Sequence, residues 1–68
     1  MEYRFLLVQA DVTTHTMPHF VRLQAESLED AAEIFAQSNN LVVDSIEGDR
    51  VWFVRKDDGT AHKYAVAW

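Results

Sequence analysis

The chain has 68 residues, no cysteine, and 11 acidic against 6 basic side chains, giving a formal net charge of -5. That length allows one domain and no linker, and the missing cysteines exclude disulfides and Cys-based zinc sites as structural staples. The acidic balance argues against a general nucleic-acid binder, which needs cations to displace counterions from phosphates, and agrees with plain solubility or a basic protein partner.

Glu2 to Val12 is rich in Tyr, Phe, Leu and Val with imperfect alternation, which predicts a strand with both faces partly apolar. This N-terminal run is too short and interrupted for a signal peptide or a membrane span, so a cytoplasmic location is expected. Thr13 to Pro18 predicts a loop. His19 to Ala25 then alternates cleanly, with Val21, Leu23 and Ala25 on one side and Phe20, Arg22 and Gln24 on the other, which predicts a second strand paired with the first.

Ser27 has the chemistry of an N-cap, and Asp30 stands where a capping box places an acid. From there Leu28, Ala31, Ala32 and Phe35 share one helical stripe, flanked by Ile34 and Ala36, with Glu29, Asp30, Glu33 and Gln37 opposite. The three acids sit near the positive end of the helix dipole and read as a solvated face. Asn39-Asn40 supplies a left-handed C-terminal residue in place of glycine.

Leu41 to Glu47, Arg50 to Lys56 and Thr60 to Ala67 read as a meander, with Gly48-Asp49 and Asp58-Gly59 as two-residue hairpin turns. Those turns predict Glu47 opposite Arg50, Ile46 opposite Val51, Asp44 opposite Phe53 and Val42 opposite Arg55. In the second hairpin they predict Asp57 opposite Thr60, Arg55 opposite His62, Phe53 opposite Tyr64 and Val51 opposite Val66. One face then carries Val42, Ile46, Val51, Phe53, Tyr64, Val66 and Trp68, and the other Leu41, Val43, Trp52, Val54, Ala65 and Ala67. The predicted fold is a single α+β domain over residues 1–68, in ββαβββ order, with an antiparallel sheet and one helix packed on one face.

Neither predicted face is polar, and one helix covers only one of them, so the uncovered face or an edge is expected to meet another chain. Among the aromatic residues Trp52 points away from Phe53, and tryptophan is enriched at interface anchors. The candidate partner-binding residues are Trp52, Trp68, Arg22, Arg55 and the acids Glu29, Asp30 and Glu33. Arg55, Lys56, His62 and Lys63 are read as a modest basic ridge on the last hairpin, beside Asp57 and Asp58. His15, His19 and His62 lack metal-ligand spacing, Ser27 is accounted for by capping, and both glycines lie in turns, so no catalytic residue, metal or cofactor is expected.

The block Phe20 to Ile34 (FVRLQAESLEDAAEI), with a strand before it and a Val-rich strand after Asn40, resembles the strand, capped acidic helix and strand of small phage proteins that inhibit host RNA polymerase. The resemblance spans about half the chain and implies a non-enzymatic inhibitor docking through one side of its sheet and an acidic strip. The family's basic pair on the strand after the helix falls near Ser45 and Glu47, neither of which is basic. Two further strands extend this chain beyond the smaller family members. The other expectations are a homodimeric accessory domain and an acidic DNA mimic built on Glu26, Glu29, Asp30 and Glu33.

Overall fold

The computed structural model describes residues 1–10 and 17–68. The end of the predicted first strand and most of the predicted loop, residues 11–16, lie outside the described residues. The elements run β1 (Glu2–Ala10), β2 (Phe20–Gln24), α1 (Leu28–Ser38), β3 (Leu41–Glu47), β4 (Arg50–Arg55) and β5 (Ala61–Ala67). The strands form one antiparallel sheet in the order β2-β1-β5-β4-β3. This is the ββαβββ α+β domain expected from the sequence, with β5 placed between β1 and β4. No described helix is long and apolar enough to cross a membrane.

The helix starts where its cap dictates. The Asp30 backbone N–H donates to Ser27 Oγ at 3.1 Å, and Ser27 itself is extended. At the other end Asn40 takes φ +59, a left-handed conformation that asparagine tolerates, and Asn39 Nδ2 donates to the Phe35 carbonyl at 2.9 Å. Ala31, Ala32, Phe35 and Ala36 are buried, while Ile34 is exposed. Three alanines on the inward stripe let the helix backbone approach the sheet closely, and Phe35 fills the space between. Its ring lies 4.9 Å from Phe5, 5.1 Å from Phe53 and 4.7 Å from Tyr64, centroid to centroid. Such tilted and stacked pairs add to the burial term that these four rings supply.

Tyr64 is fully buried, and its hydroxyl donates to the Pro18 carbonyl at 2.7 Å, tying the segment before β2 to the centre of the sheet. Burial disfavours the phenolate and pushes the Tyr64 hydroxyl up to about 12. The molecule exposes 4161 Å², close to the about 4,400 Å² that area scaling gives a compact monomer of this mass. Its exposed apolar surface therefore belongs to a tightly folded protomer.

Both predicted registers need correction. In the first hairpin Glu47 faces Arg50 and Ile46 faces Val51, as the Gly48-Asp49 turn dictates, but a bulge at Asp44 then shifts the pairing. Ser45 faces Trp52, Val43 faces Phe53, Val42 faces Val54 and Leu41 faces Arg55. A one-residue slip exchanges the two faces. Leu41 and Val43 thus join Phe53 under the helix, and Val42 moves to the opposite side. The bulge wins because it buries Leu41 fully and leaves exposed the charged Asp44, which a regular ladder would set beside Phe53.

In the second hairpin the turn holds four residues, Lys56 to Gly59. Arg55 N–H donates to the Thr60 carbonyl and Gly59 N–H to the Arg55 carbonyl, both at 2.8 Å. The Asp58 carboxylate accepts from the Thr60 N–H and hydroxyl, and Asp57 accepts from Asn40 Nδ2 at 2.8 Å, which holds the wider loop. Gly59 carries the positive φ of +71 that such a loop requires. The pairing becomes Val51 with Tyr64 and Phe53 with His62, two residues away from the prediction. A shift of two keeps every side chain on its predicted face, so the core assignment of β4 and β5 stands.

Candidate protein interface on the helix-free face of the sheet

The α1 crossover from edge strand β2 to edge strand β3 lies over one face, and the opposite face carries no second layer among the described residues. Beyond the Glu2–Gln24 rung at one end, the ladder pairs order its side chains into four rungs. Arg22, Arg4 and Ala67 form the first, and Phe20, Leu6, Ala65, Arg50 and Glu47 the second. Gln9, Lys63, Trp52 and Ser45 form the third, and Ala61, Val54 and Val42 the fourth. Leu6, Phe20 and Val42 are 50%, 51% and 50% exposed, values that set them apart from the 0% of Phe5 and Phe53 on the other side of the sheet. Small residues on central β5 leave a shallow depression of about 260 Å³ bounded by Arg4, Leu6, Phe20, Ala65 and Ala67.

The electrostatics of this face differ from those of the whole molecule. Of the six cationic side chains, Arg4, Arg22, Arg50 and Lys63 stand on it. Arg50 is paired with Asp49 at 2.9 Å. Among the described residues, Arg4, Arg22 and Lys63 form no ion pair. The Lys63 ammonium lies 4.8 Å from the centroid of the Trp52 ring, and the Arg22 guanidinium 5.7 Å from that of Phe20, contacts in the range where a cation is held by the ring quadrupole. Arg4 and Arg22 are direct cross-strand partners. Like charges opposed in this way destabilise a ladder, so the pair is a local cost within an acidic protein.

The candidate residues from the sequence separate into distinct places. Trp52 and Arg22 share the open face, three strands or about 14 Å apart across the sheet at ~4.8 Å per strand, and two rungs apart along it. Glu29, Asp30 and Glu33 are exposed on the outer side of the helix, across the molecule from that face. A flat partner surface therefore reaches either the sheet face or the acidic strip. Trp68 follows β5, is 56% exposed, and its ring lies 5.8 Å from that of Tyr3, tilted by 44°. Arg55 is largely covered and is turned into its own loop, 3.4 Å from Asp57 and 3.9 Å from Asp58.

The basic ridge expected on the last hairpin is not formed. His62 is fully buried with Nε2 3.0 Å from Thr60 Oγ1, and Lys63 is on the open face. His19 is exposed at the start of β2, and His15 lies outside the described residues. Among the described residues no three His, Asp or Glu side chains gather as a metal site. The sequence reading did not single out Arg4, Leu6, Phe20 or Val42. The signal for Phe20 was present, since it alternates with the same parity as Arg22 and Gln24 and opposite to Val21 and Leu23. Comparison with protein-family models, curated proteins and solved structures returns no match for this chain.

Proposed function

We propose that the protein is a small non-enzymatic protein-binding module whose docking surface is the helix-free face of its sheet. One observation carries the reading: a compact protomer keeps Leu6, Phe20 and Val42 half exposed on the same face as Trp52, while the helix covers the other. Exposed apolar side chains grouped with cations and an aromatic ring have the composition of an interface core. Arg4, Arg22 and Lys63, in no ion pair among the described residues, favour a partner that presents carboxylates. They disfavour symmetric face-to-face dimerisation, which would bring the same cations together. Inhibition of a host RNA polymerase is the finer form of this reading, and it rests on the resemblance of residues 20–34 alone.

The test is affinity capture from a bacterial lysate with wild type, Leu6→Ser, Trp52→Ala and the helix-face control Glu33→Ala. A partner held through the open face is retained by wild type and Glu33→Ala and lost by the other two. Equal recovery by all four forms would contradict the assignment.

A further inference from the structure

The reading of the protein as a binding module leaves open which part of the sheet engages its partner, and the two edges differ. At β3 the run of backbone groups is broken by the Asp44 bulge, a device that guards an edge against added strands. At β2 the pairing with β1 is regular over all five residues. Leu7 N–H donates to the His19 carbonyl and Ala25 N–H to the Met1 carbonyl. Antiparallel pairs alternate in their bonding, so the odd-numbered residues of β2 bond inward to β1. The N–H and C=O groups of Phe20, Arg22 and Gln24 point away from the sheet, and among the described residues no hydrogen bond occupies them.

The side chains along this edge are equally incomplete. On the core side Val21 and Leu23 pack against the core yet remain partly exposed at its rim. On the open side Phe20 and Arg22 are exposed, and Arg22 faces Arg4; Glu2 stands one rung away, and among the described residues neither arginine is in an ion pair. We infer that β2 is a strand-addition site for an extended segment of another protein that carries an acidic residue between two apolar ones. The segment's backbone would complete the ladder, and its apolar side chains would cover Val21 and Leu23. Its carboxylate would lie beside Arg22 on the open face and relieve the Arg4–Arg22 repulsion. A second copy of this chain fits less well, because antiparallel self-pairing centred on Arg22 sets Arg22 against itself.

The test uses two nine-residue peptides of alternating threonine and valine, one with a central glutamate and one with a central lysine, titrated into the full chain and followed by amide NMR. The glutamate peptide is expected to shift the β2 resonances, to slow exchange of the Phe20, Arg22 and Gln24 amides, and to bind about fivefold more tightly than the lysine peptide. Arg22→Glu is expected to reverse that preference. Gln24→Pro removes an outward N–H that the fold does not use, and should weaken both peptides. Equal binding of the two peptides, or no binding at millimolar concentration, would overturn the proposal. Shifts confined to Trp52, Val54 and Val42 would overturn the edge assignment while leaving the open-face reading intact. A wild-type dimer with protected β2 amides would also overturn it, by identifying a second copy as the occupant.

Discussion

Deleting Val43 tests whether the register around the bulge decides which residues form the core, with deletion of Asp44 as its control. Removing Asp44 leaves a regular ladder in which Val43 still faces Phe53 and Ser45 still faces Trp52, so every other side chain keeps its face. Removing Val43 allows two outcomes. If the bulge at Asp44 stays, Val42 comes opposite Phe53 and Leu41 opposite Val54. Leu41, now 2% exposed, then turns outward, and Val42 turns inward in place of the partly buried Val43. Losing a buried leucine costs roughly 2–3 kcal/mol and a half-covered valine about 1, against about 1 regained from Val42, so the net loss is roughly 2–3 kcal/mol. If the bulge closes instead, Leu41 keeps its side but the Asp44 carboxylate is set opposite Phe53 under the helix, at a cost at least as large. A domain of this length has a total stability of roughly 3–10 kcal/mol, and the change corresponds to a fall in Tm of about 10–20 °C. The Asp44 deletion removes an exposed residue that the ladder does not pair, so it should stay within about 1 kcal/mol of wild type. Urea and thermal unfolding of the two variants make the comparison. A Val43 deletion as stable as the Asp44 deletion would show that the faces of β3 are not set by this register.

Tyr64 gives a prediction in pH. Its hydroxyl is raised from 10.0 to about 12 in the folded state, so the stability this group contributes is complete below pH 10 and is lost as pH rises towards 12, to a total of about 3 kcal/mol. Urea unfolding between pH 9 and 12 should show that loss in wild type and a flatter profile in Tyr64→Phe. At pH 7 the same variant should be about 1 kcal/mol less stable, since the Pro18 carbonyl loses its donor. Ser27→Ala removes the acceptor for Asp30 N–H and should destabilise by about 1 kcal/mol in thermal melts, whereas Ser27→Asp should restore most of that loss. Leu6→Ser should change stability by no more than about 1 kcal/mol, because Leu6 is already half exposed. Phe5→Ala, one residue away and fully buried, should cost about 3–5 kcal/mol or prevent folding. Similar losses for the two in urea unfolding would remove the distinction between the faces.

The candidate site was only partly legible in the sequence. Trp52 points away from Phe53 because adjacent strand residues always do, and the structure places it on the open face for that reason. A two-residue turn at Asp58-Gly59 predicts Arg55 opposite His62. The network of Asp57, Asp58, Thr60 and Asn40 makes that turn longer, and Asn40 reaches it from a distant part of the chain. The grouping of Phe20 with Leu6 and of Arg22 with Arg4 follows from pairing β2 with β1. Their prominence follows from the absence of a covering layer among the described residues, which no local pattern encodes.

What the sequence determined by itself was local. The Ser27 cap, the alanine and Phe35 stripe, the left-handed Asn40 and the Gly48-Asp49 turn each act within a few residues, through hydrogen bonds and steric limits that need no distant partner. Only the tertiary structure decided that β5 enters the sheet between β1 and β4, that Asp44 bulges, and that the helix takes the Phe53 face. Each of those outcomes is selected by how well Phe5, Phe35, Phe53, Tyr64 and Leu41 pack together at once, a collective fit of residues far apart in the chain.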